Sequence, residues 1–237
     1  DEYVDALLKE LAFFSEVSKE KNLNAIYMGG GTPTTLSAEQ MDKVLGFLET
    51  HFSFEHLKEY TIEAGRPDSI TEEKLRVIRG HGVGRISINP QTMQQKTLDV
   101  IGRRHTVDDV VRIFRLAREL GIDNINMDLI AGLHGEHPED MEDTLRQIKA
   151  LSPDSLTVHA LAMKHGSRLT RERAESTEKP NYKQMARELE EMIDMARKAA
   201  DEMGLFPYYL YRQKNIAGNF ENVGYAKVDK AGIYNIL

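Results

Sequence analysis

Strand-like and helix-like segments alternate along this chain at a spacing of roughly 25 to 40 residues, the pattern of consecutive βα units around a parallel sheet. Helical period runs through Tyr3, Leu7, Leu8, Leu11, Phe14 and Val17, and Ala25-Ile26-Tyr27-Met28 then reads as a strand. Ser37-Ala38-Glu39-Gln40 predicts a capping box for a helix to about Phe52, and Tyr60 to Ala64 a second strand. Thr71 caps a helix ending near Gly80. Arg85 to Asn89, Asn124 to Ile130 and Ser155 to Leu161 continue the strands, while Thr106, Pro138 and Asn181 stand at the starts of further helices. Pro207 to Tyr211 reads as one more strand, and the Gly- and Asn-rich stretch from Lys214 to Gly232 is loop-like, with no fold assigned. The expected organisation is a partial (β/α) barrel core over residues 1–204 and an extension over 205–237 leading toward a further C-terminal domain.

The alternation inside the strands narrows the architecture. A parallel sheet covered by helices on both faces is apolar on both. Here Asn124, Asn126 and Asp128 oppose Ile125, Met127 and Leu129, and Arg85, Ser87, Asn89 and Gln91 oppose Ile86, Ile88 and Pro90. Thr61 and Glu63 oppose Ile62 and Ala64, and Ser155, Thr157 and His159 oppose Leu156 and Val158. One face meets helices; the other is expected to be wet or to hold ligand. A closed eight-stranded barrel fills its lumen with branched apolar side chains, so a polar inner face favours a wider, incomplete barrel around something large and polar.

Composition limits the ligand class. The 237 residues are 41% hydrophobic and 29% charged, with a net charge of −7, which argues against nucleic-acid or membrane partners and for a small molecule. No apolar run suggests a membrane span or signal peptide, and the expected location is cytoplasmic. There is no cysteine, so no residue here can be a thiolate nucleophile or a cysteine metal ligand. His134 and His137, three residues apart in a Gly/Pro-flanked loop, are weak metal candidates, and no metal site is expected.

The chemistry gathers at the carboxyl ends of the strands, where α/β folds bind ligands. Gly29-Gly30-Gly31-Thr32-Pro33-Thr34 follows the first strand and exposes backbone that a ligand can approach closely. Glu63 with Arg66, Gln91, Asp128 and Ala162 fall near the other ends, and Arg103 follows Gln91 by twelve residues and can return to the same rim. Bare backbone, carboxylates for hydroxyl groups and an arginine for a carboxylate suit an amino-acid-bearing nucleoside such as S-adenosylmethionine. Structural readings stay open: Asp128 as a loop cap, Arg103 as a surface ion pair, Glu63 as the partner of Arg66 or Arg85, and Tyr208, Tyr209 and Tyr211 as core packing.

The glycine run, Ile62-Glu63, Gln91 with Arg103, Asn126-Met127-Asp128-Leu129-Ile130-Ala131-Gly132-Leu133 and Ser152-Pro153-Asp154 resemble the radical SAM oxygen-independent coproporphyrinogen III oxidases, also called coproporphyrinogen dehydrogenases. Tyr208 to Asn215 and Asn222-Val223-Gly224-Tyr225-Ala226 are most similar to its HemZ-type branch. The resemblance implies a partial (β/α)6 barrel of parallel strands with outer helices, and a [4Fe–4S] cluster on a Cys-x-x-x-Cys-x-x-Cys loop after the family's first strand. Neither the loop nor that strand is found here, so the sequence reads as an inactive piece of the enzyme with no catalytic residue of its own; the rival is a member that has lost its cluster. The resemblance further implies that Gly30, Gly31 and Thr32 bind the methionyl end of S-adenosylmethionine. Glu63, Gln91, Arg103 and Asp128 would contact that cofactor, and the Ala162 backbone would lie near adenine. The implied partners are a tetrapyrrole substrate and, for the intact enzyme, an electron donor and acceptor. Arg66, Arg85, Arg104, Lys164, Arg168 and Arg212 are cations available to propionates. A haem chaperone of the same superfamily and an aldolase-like barrel using Lys164 are the alternatives.

Overall fold

The structure is a computed structural model that describes residues 2–161, 181–211 and 221–236. Its elements are α1 (Glu2–Val17), β1 (Ala25–Met28), α2 (Ala38–His51), β2 (Glu59–Gly65), α3 (Glu72–Gly80), β3 (Arg85–Gln91), α4 (Gln95–Val100), α5 (Val107–Glu119), β4 (Ile125–Ala131), α6 (Pro138–Leu151), β5 (Ser155–Ala160), α7 (Tyr182–Glu202), β6 (Phe206–Tyr211) and β7 (Asn222–Ala226). The sheet order is β1-β2-β3-β4-β5-β7-β6. β1 and β2 pair in parallel, as do β2 and β3, whereas β7 is antiparallel to both β5 and β6. The chain divides into two compact units, one of Asp1–Asn89, Asp108–Asn126 and Gly232–Leu237, the other of Pro90–Val107 and Met127–Ala231.

In the first unit the helices start where local chemistry predicts. Ser37 Oγ accepts from the Gln40 N–H at 3.1 Å while the Ser37 N–H donates to Gln40 Oε1 at 2.9 Å, satisfying two of the donors that a helix start leaves open. Thr71 Oγ1 does the same for α3 by accepting from the Lys74 N–H. Met41, Val44 and Leu45 of α2, Leu75 and Ile78 of α3, Val110, Ile113 and Phe114 of α5, and Ile62, Ile86 and Ile88 of the strands are all buried. Each such aliphatic side chain stabilises the fold by about 2 kcal/mol through the area it takes out of water. A 3₁₀ turn, Ile233–Asn235, joins this unit: Tyr234 stacks on Tyr27 at 4.5 Å, and the Glu59 carboxylate accepts the N–H groups of Ile233 and Tyr234.

The second unit buries Met127, Leu129 and Ala131 of β4, Met141, Leu145 and Ile148 of α6, Leu156 and Val158 of β5 and Leu189, Met192 and Ala196 of α7. Within 214–232, whose fold the sequence does not specify, the described residues include β7. It sits between β5 and β6 with Leu156 opposite Tyr225, and it needs a glycine at 224, where a Cβ would lie 2.0 Å from Tyr209 Cε1. The reading of the tyrosine cluster as core packing is corrected: Tyr208 and Tyr209 are half-buried, and Tyr211 is 52% exposed.

The residues of the polar sheet face differ in exposure, and Glu63, Asp128 and His159 are half-buried. Arg85, Ser87, Asn89, Gln91, Asn126, Ser155 and Thr157 are all buried. Among the described residues no helix is long and apolar enough to cross a membrane.

Candidate functional site

In the first unit, Gly29 follows β1 and the chain turns through Gly30, at φ +110°, into the 3₁₀ turn Pro33–Thr35. A Cβ on Gly29 would lie 2.3 Å from Tyr27 Cε1 and 3.0 Å from Glu63 Oε2, so glycine is required there by close approach. Gly30 and Gly31 are exposed, and a Cβ on either would meet nothing within 4 Å. The structure thus brings the glycine corner and Glu63 together, and Thr32 Cγ2 lies 3.5 Å from the Cβ position of Gly65. Glu63 is half-buried: Tyr27 Oη donates to its Oε2 at 3.3 Å and Asn89 Nδ2 to its Oε1 at 3.5 Å. Arg66 turns away to form a two-pronged pair with Asp68 at 3.0 and 3.1 Å.

The corner is anchored from behind. Thr34 is fully buried and donates to the Ala64 carbonyl at 2.5 Å, with its hydroxyl 2.6 Å from that of Ser69. Lys74 reaches from α3 to the carbonyls of Thr34 and Ser69 at 2.6 and 3.0 Å. Burial pulls the Lys74 ammonium below its ordinary pKa.

In the second unit, Gln91 ends β3 at φ +70° while buried. A non-glycine residue in the left-handed region stores strain, and such residues cluster at functional sites. The loop after it returns to the strand through α4: His105 Nε2 lies 3.4 Å from the Pro90 carbonyl, so Arg103, half-buried, comes back toward the end of β3. Thr92 donates to Glu136 Oε1 at 2.6 Å, and the Met93 N–H donates to Thr144 Oγ1 at 3.2 Å. Burial raises the Glu136 carboxyl above its ordinary pKa, against hydrogen bonds from Thr92 and Thr97 that lower it. Asp128 is half-buried on β4 two residues beyond Asn126, which is buried. Ala162, with Lys164, Arg168 and Arg212, lies outside the described residues.

Tyr27, Asn89, Lys74 and Glu136 were not among the expected site residues. Tyr27 carried a usable signal, since it shares strand parity with Gly29; the contacts of Lys74 and Glu136 depend on loops far apart in sequence.

A model of the radical SAM superfamily matches residues 4–148. The chain belongs to the radical SAM superfamily. Over 232 residues it is 45% identical to the oxygen-independent coproporphyrinogen-III oxidase-like protein HemZ of Bacillus subtilis, covering 96% of this chain and 45% of that protein. It is 35% identical to the heme chaperone HemW of Bacillus subtilis, over 68% of this chain and 42% of that protein. The structure of the radical SAM enzyme coproporphyrinogen III oxidase HemN from Escherichia coli superposes with a TM-score of 0.78 at 23% identity, over 97% of this chain and 49% of that one. The chain therefore spans about half the length of these relatives and has the partial α/β barrel fold of the radical SAM type.

Radical SAM proteins in general use S-adenosylmethionine and a [4Fe–4S] cluster. This chain contains no cysteine and does not fit the cluster, and no group of three or more His, Asp or Glu among the described residues could hold a metal ion. It does fit the polar ends of S-adenosylmethionine, with open backbone at Gly30 and Gly31 and a buried Asn89 Oδ1 that makes no hydrogen bond among the described residues.

Proposed function

We propose that this chain is the S-adenosylmethionine-binding core of a coproporphyrinogen III dehydrogenase, which converts propionate side chains to vinyl groups in anaerobic porphyrin biosynthesis. The observation that carries the reading is 45% identity over 96% of the chain to a coproporphyrinogen oxidase-like protein, together with an open glycine corner backed by a carboxylate. In the first unit Gly30, Gly31 and Thr32 offer backbone and Glu63 a carboxylate suited to the methionyl end; in the second, Arg103 suits a carboxylate, Asp128 ribose hydroxyls and Gln91 a further polar group. The cofactor supplies the hydrogen-abstracting chemistry, and the protein supplies binding and orientation. The reading requires cluster ligands from outside these 237 residues, because none of them is a cysteine.

A second reading, haem binding and transfer, has the 35% identity to a heme chaperone in its favour. The two separate in one assay on the full-length protein carrying its cluster. Vinyl-bearing product from coproporphyrinogen III under reducing, anaerobic conditions supports the dehydrogenase; stable haem binding with no product overturns it. Sequencing the parent gene for Cys-x-x-x-Cys-x-x-Cys upstream of Asp1 tests the cluster requirement directly.

A further inference from the structure

Strand register places Ala25 opposite Glu59 and Tyr27 opposite Thr61, so Tyr27, Glu59 and Glu63 lie along one face of β1 and β2. The turn Ile233–Asn235, in the same compact unit, is held on that face at two points. The buried Glu59 carboxylate accepts the N–H groups of Ile233 and Tyr234 together with the Thr61 hydroxyl, and the Tyr234 ring stacks on Tyr27 with centroids 4.5 Å apart and planes 13° apart. Tyr27 then reaches the candidate site in two ways. Its Cε1 lies 2.3 Å from the Cβ position of Gly29, so the ring packs against the start of the glycine corner, and its hydroxyl donates to Glu63 Oε2 at 3.3 Å.

We propose that Tyr234 is a positioning residue for the glycine corner: through the Tyr27 ring it links docking of the turn 233–235 to ligand binding at the corner. The proposal rests on the nucleoside-binding reading above and adds to it a control by a segment far along the chain. Its physical basis is the freedom of one side chain. Rotating Tyr27 about χ1 would carry its hydroxyl away from Glu63 and its ring edge away from Gly29, and a second ring stacked on its face holds it in one rotamer. Glu59 keeps Tyr234 in place, since a buried carboxylate that loses its donors is costly. Linkage makes the effect reciprocal: whatever the docked turn adds to ligand affinity, the ligand adds to docking.

The test is ¹⁵N NMR of the full chain, first without ligand and then with S-adenosylmethionine. Tyr234 is 55% exposed, so truncating it spares the core. Without ligand, Tyr234→Ala should shift the Gly29 and Gly30 amides and leave those of α5 in place, while Tyr234→Phe, which keeps the ring, should retain the unsubstituted spectrum at the corner. With ligand, Tyr234→Ala should weaken S-adenosylmethionine binding about fivefold, the worth of an aromatic pair, and Tyr234→Phe should bind as the unsubstituted chain does. Saturating ligand should slow amide exchange at Ile233 and Tyr234 of the unsubstituted chain by the same factor. Unchanged affinity or unchanged Gly29 shifts in Tyr234→Ala, a Tyr234→Phe loss as large as that of Tyr234→Ala, or exchange at Ile233 and Tyr234 that does not respond to ligand overturns the link while the nucleoside reading stands. If the unsubstituted chain binds no S-adenosylmethionine, the nucleoside reading falls and the link to ligand binding falls with it.

Discussion

The Lys74 ammonium donates to the Thr34 carbonyl at 2.6 Å, tying α3 to the turn that ends the glycine corner. The same nitrogen reaches the Ser69 carbonyl at 3.0 Å in the loop after β2, so one side chain joins two segments that flank the candidate site. Lys74→Met keeps the aliphatic stem but removes the donor, and is expected to lower stability by about 1 kcal/mol. It should also speed amide exchange at Thr35, whose N–H closes the turn onto the Thr32 carbonyl at 2.9 Å. Urea unfolding and hydrogen exchange on the variant check both; exchange at Thr35 equal to that of the unsubstituted protein would show that Lys74 does not hold the corner.

The three glycines should respond differently to alanine. At Gly29 the added methyl meets a tyrosine ring already stacked on Tyr234, so Gly29→Ala is expected to cost about 1–3 kcal/mol by overpacking. At Gly30 there is space, but φ is +110°, and the cost is expected to be about 1 kcal/mol of backbone strain. Gly31→Ala should leave the melting temperature almost unchanged and act on ligand binding alone. Thermal unfolding of the three variants gives the order, and a Gly31 variant as unstable as that of Gly29 would contradict it.

His81 caps the end of α3 and reaches two carboxylates of α2, with Nε2 3.0 Å from Asp42 and Nδ1 2.9 Å from Glu49. Burial alone would lower its pKa, yet the hydrogen bonds to Asp42 and Glu49 carry it above the ordinary 6.5. A raised folded pKa means that the folded state holds the proton more tightly than the unfolded chain does. The resulting stabilisation is complete below pH 6.5 and is lost as pH rises through the folded value. The solvent-facing partners keep it to about 0.5 kcal/mol. Stability measured across this window should fall with pH in the native protein and fall less in His81→Gln; identical slopes would remove His81 from the account.

Glu136 gives a pH dependence of the same sign, because its folded state also holds the proton more tightly. Burial raises its folded pKa above the ordinary 4.5, so stability falls as pH rises from 4.5 through the folded value, where the buried carboxyl gives up its proton. Glu136→Gln keeps an acceptor for the Thr92 hydroxyl and should be more stable than the native protein above that window. Glu136→Ala leaves the Thr92 donor buried without it and should be less stable by about 1–3 kcal/mol. Guanidinium unfolding at acidic and neutral pH distinguishes them, and a glutamine variant weaker than native at neutral pH would show that the charged form is the one the fold prefers.

Much of the fold was legible because its signals are local. The Ser37 and Gln40 box, the Thr71 cap and the strand-helix alternation each depend on a few neighbouring residues, and the structure places all of them. α4 escaped notice because it is six residues long and Gln94 makes no capping bond. β7 escaped because a five-residue strand with a central glycine is specified by its partners β5 and β6, not by its own composition. Alternation showed which strand residues share a face, but polarity does not report wetness, and Arg85, Ser87 and Asn89 are buried. In the site, Gly30 and Glu63 stood out by type and position. The bonds of Tyr27 and Asn89 to Glu63 span 36 and 26 residues and become visible only when the strands are side by side.

The central claim is that the ends of β1 and β2 form a binding corner for S-adenosylmethionine. The most direct measurement is a ¹⁵N-resolved titration of the 237-residue chain with that molecule. The account predicts weak, saturable binding with the largest shifts at the Gly29, Gly30, Gly31 and Thr32 amides, since a cluster that would add metal contacts has no ligands here. Shifts confined to residues remote from that corner, or none at saturating ligand, would contradict it.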